Sequence, residues 1–234
     1  MESGKKAKVV MNWSSGKDSA LALAMMLQHP NFEVAALLTT LSADYNRIFM
    51  HGVREALLDA QAAAIGIPIM KAALPAWPDN SKYEAKMAEV MAALKAVGLT
   101  HSVFGDLFLE ELKTYREAQL EKAGLSGLFP LWKIPTHEII DLLDAQGIEA
   151  VTVCVDANVL DASFLGKRVD RAFVASLPPN VDPCGENGEF HTFVYNAPYF
   201  SAPVAFEFGE TVHRKYEGAH DGAGFHFIDL LPIG

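Results

Sequence analysis

Cysteine, positive charge and long apolar stretches are what this sequence has least of. There are two cysteines, Cys154 and Cys184, too few for a disulfide scaffold, and a pair this sparse fits a reducing compartment. No Cys-x-x-Cys occurs and no His/Cys group has zinc-site spacing. No apolar run approaches the ~20 residues that span a bilayer. Lysine and arginine number 19 against 29 aspartates and glutamates, a net charge of −10. Nucleic-acid binding rests on cations that neutralise phosphates, so this balance argues against it. The densest basic cluster, Lys5, Lys6 and Lys8, reads as a solvated end. Residues 1–6 lead directly into an apolar run without the apolar core and small-residue cleavage site of a signal peptide. The expectation is a cytoplasmic protein without a membrane span. Hydrophobic residues make up 50% of the 234 and charged ones 21%, enough for one or two packed cores.

What is present is an alternation of apolar runs and helical patterns. Residues 9–13 form an apolar run, 14–19 a small hydroxyl- and glycine-containing turn, and 17–28 a strong helix former broken at Pro30 and Asn31. A continuous apolar run at 33–41 suits a strand buried on both faces. A polar loop at 42–50 leads to a helix at 51–65 with Val53, Leu57, Ala60 and Ala64 on one stripe, closed by Gly66. Strands follow at 68–74 and 101–104, and helices at 82–97, 110–123 and 136–146. Asp79 to Ser81 offer caps for the first of these helices, Thr136 caps the last, and Gly98, Gly124 and Gly147 end them. A fifth strand is expected at 149–155. The prediction is α/β: a doubly wound, parallel, five-stranded sheet of HUP/Rossmann-like type, with a smaller α+β domain after it. The boundary falls at 127/128, with a nucleotide-binding domain before it and a substrate domain after it. The later part reads as a loop and short helix at 160–176 and strands at 189–195, 205–208, 212–216 and 225–231. Ligands bind beyond the carboxyl ends of parallel strands. The turn at 14–19, the 42–51 loop and Asp106 are therefore expected to converge on one cleft.

A strand, a tight turn and a helix aim backbone N–H groups and a positive helix end at an anion. The turn Ser14-Ser15-Gly16-Lys17-Asp18-Ser19 is not a Walker A loop. That motif places glycine where Met11 stands and Ser/Thr directly after the lysine, where Asp18 stands. The pattern Ser-x-Gly-x-Asp-Ser instead resembles the PP-loop of ATP pyrophosphatases, S-G-G-x-D-S, which holds ATP for cleavage between the α and β phosphates. Ser14, Gly16, Asp18 and Ser19 keep their types and Lys17 adds charge. Ser15 departs from glycine, and a positive φ there would cost about 1 kcal/mol. An ordinary serine-capped turn is the alternative reading.

The second constellation is Asp182-Pro-Cys-Gly-Glu-Asn-Gly-Glu-Phe-His-Thr192. Taken alone, it could be a glycine-rich turn with solvated acids. It resembles the G-E-x-G-E-[FY]-x-T signature of the diphthine–ammonia ligase family, a branch of the PP-loop enzymes. The resemblance extends to Thr39-Thr40, His51-Gly52, Phe104-Gly105-Asp106 and Pro130-Leu131-Trp132. His191 and Cys184 depart from the E-G-G-E-[FY]-E-T form and resemble a bacterial branch. The resemblance implies an ATP-dependent amidoligase. AMP is transferred to a carboxylate with release of pyrophosphate, and ammonia displaces AMP. It implies ATP and Mg²⁺ as cofactors, and ammonium and a carboxylate acceptor as partners.

The residues expected to carry this chemistry are Glu186, Glu189 and His191 as catalytic groups. Ser14, Ser15, Gly16, Lys17, Asp18, Ser19, Thr39, His51 and Gly105 would hold the nucleotide. Asp106, Arg116, Gly185, Gly188 and Thr192 would meet the substrate, with Asp106 also the metal ligand. Each has a bland counterpart: Asp106 and His51 as helix caps, Arg116 in a surface salt bridge, Tyr115 beside it on the helix. Trp77 and Trp132 read as packing. Cys184 reads as structural, which weighs against the rival of a thiolation-type pyrophosphatase. A nucleotide-binding sensor without turnover is the rival from another class. A homodimer is compatible with the chain, and nothing in it resembles a glutaminase.

Overall fold

The computed structural model describes residues 6–75, 80–215 and 224–233, apart from the side chain of Asn80. Trp77, the cap at Asp79, Lys5 and the end of the strand expected to reach Tyr216 lie outside these residues. Among the described residues no helix is long and apolar enough to cross a membrane.

The elements run β1 (Ala7–Asn12), α1 (Lys17–Leu27), β2 (Phe32–Ser42), β3 (Arg47–Ile48), α2 (Glu55–Ile65), β4 (Ile69–Leu74), α3 (Asn80–Ala96), β5 (Leu99–Val103), α4 (Glu110–Ala123), β6 (Ser126–Leu128), α5 (Thr136–Ala145), β7 (Glu149–Asp156), a 3₁₀ turn at Ala162–Phe164, α6 (Arg171–Ser176), β8 (Phe190–Asn196), β9 (Phe206–Lys215) and β10 (Gly224–Pro232). Five strands pair in parallel in the order β4-β2-β1-β5-β6. The two-residue β3 adds antiparallel to the end of β2. Alternation along β1 assigns its side chains to the two faces. Val9 and Met11 pack with α1, α2 and α5, whereas Val10 packs with α3 and α4 residues such as Val90, Leu94 and Leu120. Helices thus cover both faces, as the doubly wound prediction requires. The second sheet is antiparallel throughout, in the order β8-β7-β10-β9. Val151, Val153, Phe190 and Phe193 join the same core as α1, α2 and α5.

Four details differ from the sequence reading. The fifth parallel strand is β6, not 149–155; β7 lies in the antiparallel sheet between β8 and β10. Residues 205–208 and 212–216 belong to one strand, because β9 runs through Gly209 with a register shift opposite Ile228 and Leu230. The helix expected at 51–65 starts at Glu55. Gly52 takes φ +68° and Arg47 bridges Arg54, so residues 47–54 fold back before the helix begins. Thr136 is the first residue of α5, not its cap.

The sheet order places the switch in chain direction between β1 and β5, the position at which a crevice opens in this architecture. The turn after β1 and the segment after β5 face each other there. Gly105 marks the approach: a Cβ on it would lie 2.8 Å from the Asp18 carbonyl carbon.

Candidate active site

The turn at 14–19 is held from several sides. Ser15 takes φ +70°, the left-handed conformation that glycine adopts at no steric cost. Its carbonyl accepts from the Val194 N–H at 2.9 Å and from Gln61 Nε2 at 3.2 Å. The Gly16 N–H donates to Ser14 Oγ at 3.3 Å, and Ser19 Oγ donates to the Gly16 carbonyl at 2.9 Å. The Lys17 N–H donates to Thr192 Oγ1 at 3.0 Å. β8 therefore braces the first turn of α1 across 175 residues of sequence. Gly16 allows this approach: a Cβ there would sit 2.6 Å from His51 Cε1 and 3.2 Å from the Thr192 carbonyl.

The charges converge on the same place. Buried Lys17 ion-pairs with Asp18 at 2.8 Å and lies over the Phe190 ring. Burial works against its charge, but its neighbours, the Asp18 carboxylate foremost and Glu186 among them, together outweigh burial and the pKa lies above its ordinary value. His51 Nδ1 is 2.9 Å from the Thr192 carbonyl. A carbonyl only accepts, so Nδ1 carries the proton and Nε2 keeps its lone pair. Burial pushes the His51 pKa down to about 4. His191 lies beside it, with ring centroids 4.9 Å apart. Burial, with His51 and Lys17 adding to it, lowers the His191 pKa well below the usual range, and its Nε2 is buried without a hydrogen bond. Both imidazoles are neutral at pH 7.

Glu186 reaches from the later half to the segment after β5, where Oε1 accepts the N–H groups of Leu107 at 3.2 Å and Phe108 at 2.9 Å. Burial raises its pKa above the ordinary carboxylate value against those two bonds. Asp106 is also raised by burial, opposed by Arg116, whose Nη1 is 3.2 Å from Oδ2. The Arg116 guanidinium stacks 4.4 Å above the Phe104 ring. These groups, with Thr39, His51, Gly105, Gly185, Gly188, His191 and Thr192, line one cavity of about 1260 Å³.

Glu189 is placed differently. It is buried, and its carboxylate accepts the N–H groups of Asp182 and Asn187, each at 3.0 Å, and the Asn187 side-chain amide at 3.0 Å. It organises its own loop, whereas Glu186 faces the cavity. Asp106 caps no helix, since Leu109 is the N-cap of α4. His51 lies ahead of α2 and binds β8 instead of capping. Trp132 packs edge-on to Phe129 under Lys113. Both cysteines are buried, and burial pushes both thiols up.

Gln61 was not anticipated from the sequence. Fully buried on α2, it accepts from Trp13 Nε1 at 2.9 Å and donates to the carbonyls of Ser15 and Val194, the latter at 2.6 Å. Its signal was a lone amide among Leu57, Ala60 and Ala64 on an apolar stripe. Asn12 was also missed; it ties β1 to β5 through Ser102 Oγ at 2.7 Å and the Val103 carbonyl at 2.8 Å. So was the clasp of Arg47 and Arg54 on Asp229, which fixes the 47–54 fold-back to β10.

Among the described residues no group of three or more His, Cys, Asp or Glu is placed to hold a metal. Mg²⁺ commonly takes one or two carboxylates, the rest of its shell being water and phosphate. Asp106 fits that smaller requirement as a cavity-lining carboxylate, its Oδ2 facing the Arg116 guanidinium at 3.2 Å.

Two family models match the chain: the diphthamide synthase N-terminal domain over residues 7–127, and the diphthamide synthase C-terminal domain over residues 135–223. The chain belongs to the diphthamide synthase family. Among similar proteins, the diphthine–ammonia ligase of Bos taurus is 24% identical over 188 residues, 74% of this chain and 70% of the bovine protein. That of Homo sapiens is 26% identical over 128 residues, 51% of this chain and 48% of the human protein. That of Schizosaccharomyces pombe is 28% identical over 112 residues, 44% of this chain but 18% of the yeast protein. The part of the diphthamide synthase N-terminal match that follows β1 contains the phosphate-type turn, and the C-terminal match contains Glu186, His191 and Thr192.

Proposed function

We propose that this protein is an ATP-dependent amidoligase that adenylates a carboxylate and passes ammonia to it, releasing AMP and pyrophosphate. The observation carrying this reading is the single cavity shared by the turn at the start of α1 and the Glu186–Thr192 segment of the later half. The names of the similar proteins support it. The α1 terminus and residues 14–19 would hold the phosphates, with Thr39, His51 and Gly105 beside them. An oxygen of the acceptor carboxylate attacks the α-phosphorus, and the bond from that phosphorus to the bridging oxygen breaks, so pyrophosphate leaves. The ammonia lone pair then attacks the acyl carbon and AMP leaves with the carbon–oxygen electron pair. Arg116, which pairs with Asp106 at 3.2 Å, would exchange that partner for the acceptor carboxylate. Glu186, a carboxylate with a raised pKa, is suited to take the proton that nitrogen loses. His191, beside His51 in the same cavity, is the alternative acceptor for that proton. Mg²⁺ at Asp106 would offset charge on the leaving pyrophosphate.

Buried, high-pKa thiols disfavour the sulfur-transfer alternative. The test is pyrophosphate and AMP release from ATP over a panel of carboxylic acids, with and without ammonium. Matched release that needs both acid and ammonium is expected, lost in Glu186→Gln while ATP still binds. Stoichiometric ATP binding with no turnover for any acid would support a sensor instead.

A further inference from the structure

The antiparallel sheet of the later half ends in an open edge. β10 pairs with β7 on one side and with β9 on the other, and among the described residues no strand pairs with the outer side of β9. An unpaired edge presents a row of N–H and C=O groups to any strand that aligns with it. β9 is 10 residues long, against a usual length of about 5–6. None of its residues lines the cavity.

The charges on this edge are sorted along the strand. Glu207 and Glu210 stand in its first half, Arg214 and Lys215 in its second. All four are exposed, and among the described residues none of their side chains makes a hydrogen bond or an ion pair. Charge guards many sheet edges against pairing, but guarding does not require the signs to be segregated. Segregation makes the edge complementary to itself. An antiparallel copy brings its bases to these acids and its acids to these bases, as a two-fold contact requires. A parallel copy in register would set like charges side by side. Side chains alternate between the faces with a period of two, so Glu210, Val212 and Arg214 share one face. The register shift of β9 lies between the partners of Leu230 and Ile228, ahead of Thr211, and the strand is regular from there to Lys215. In a two-fold pairing centred on Val212, Glu210 of each copy lies directly across from Arg214 of the other, and Thr211 across from His213.

We propose that the outer edge of β9 is a self-association surface for a second copy of this chain. The two copies pair antiparallel about a two-fold axis at Val212 and join their four-stranded sheets into one continuous sheet. The inference stands apart from the reaction at the cavity.

Sedimentation velocity over a range of protein concentrations tests it on the wild type, Glu210→Arg, Arg214→Glu and the double variant. Each single reversal sets two like-charged pairs across the axis and is expected to weaken dimerisation about tenfold or more, whereas the double exchange restores opposite signs and the wild-type affinity. Far-UV circular dichroism checks that each variant is folded. A cysteine pair gives a readout that does not depend on these charges. Cys154 and Cys184 are buried, so under mild oxidation Val212→Cys is expected to link two copies, while Glu207→Cys, remote from the axis in this register, is not. A wild type that stays monomeric at millimolar concentration would overturn the inference and leave the charges as edge guards. So would a dimer indifferent to both single reversals, or one linked equally at Glu207→Cys and Val212→Cys, since either result places the interface elsewhere.

Discussion

Replacing Gln61 with leucine tests how the phosphate-type turn keeps its shape. Leucine is close in size, so the substitution removes the amide without opening a large cavity. Two buried groups lose a partner: the Trp13 indole N–H and the Val194 carbonyl. The Ser15 carbonyl keeps the Val194 N–H at 2.9 Å. A buried polar group left unpaired costs about 1–3 kcal/mol, so Gln61→Leu should cost roughly 2–6 kcal/mol. That is a large part of the ~5–15 kcal/mol typical of a domain. Urea unfolding followed by far-UV circular dichroism reads it as a lower midpoint at an unchanged slope. Gln61→Glu sharpens the test. Its carboxyl can still accept from Trp13, but two carbonyls face its other oxygen, so the folded state favours the protonated form and raises the pKa above ~4.3. Stability is then retained below the unfolded pKa and lost as pH rises through the folded one. The mutant should be closer to wild type at pH 4.5 than at pH 8. A Gln61→Leu midpoint matching wild type, or a Gln61→Glu deficit independent of pH, would refute the idea that this amide holds the turn.

Three further outcomes are expected. Gly16→Ala places a methyl group 2.6 Å from His51 and 3.2 Å from the Thr192 carbonyl; overpacking of this kind costs about 1–3 kcal/mol, and calorimetry should show weaker ATP-analogue binding even where the melting temperature recovers in stabilising buffer. Ser15→Gly relieves a positive φ of 70° and should raise stability by up to about 1 kcal/mol, read as a higher urea midpoint; a lower midpoint would show that the serine side chain contributes more than the strain costs. Asp229, held near pKa 2 by hydrogen bonds from Arg54 and Arg47 that outweigh burial, contributes stability above its unfolded value of 3.8 that is lost as pH falls toward about 2. Asp229→Asn should flatten the melting temperature over that window; an unchanged slope would show that the clasp does not act through charge.

The parallel sheet was legible wherever strands were long and apolar. β1 and β2 announce themselves as apolar runs beside helical patterns, and Gly66 and Gly124 end α2 and α4 in the left-handed conformation their positions suggested. β6 was not legible, because three residues including a glycine carry no period; neighbours impose its pairing. β7 misled for the opposite reason. Six of its eight residues are buried, and a strand covered on both faces has the same apolar signature in a parallel or an antiparallel sheet. The merging of β9 across Gly209 is a third case: glycine punctuates sequence, yet a strand absorbs it at a register shift.

The site was legible as residue types but not as directions. Glu186 and Glu189 sit three apart around Gly188, and their spacing treats them alike. Backbone conformation separates them. Gly185 and Gly188 take φ values of +69° and +88°, and the chain turns sharply at each. A Cβ on Gly185 would lie 2.9 Å from the Phe190 carbonyl, so that turn closes onto β8. Inside it, Asp182 accepts the N–H groups of Cys184 at 2.9 Å and Glu186 at 3.3 Å, while Glu189 accepts those of Asp182 and Asn187. Two carboxylates therefore bind the loop's own backbone, and the third is carried outward to the N–H groups of Leu107 and Phe108. The segment that bears Asp106 is fixed by the same side chain that faces the cavity. Loss of Glu186 would consequently disturb two things together, the acid at the site and the position of Asp106. Glu186→Gln separates them, because its amide oxygen still accepts both N–H groups while the negative charge is gone.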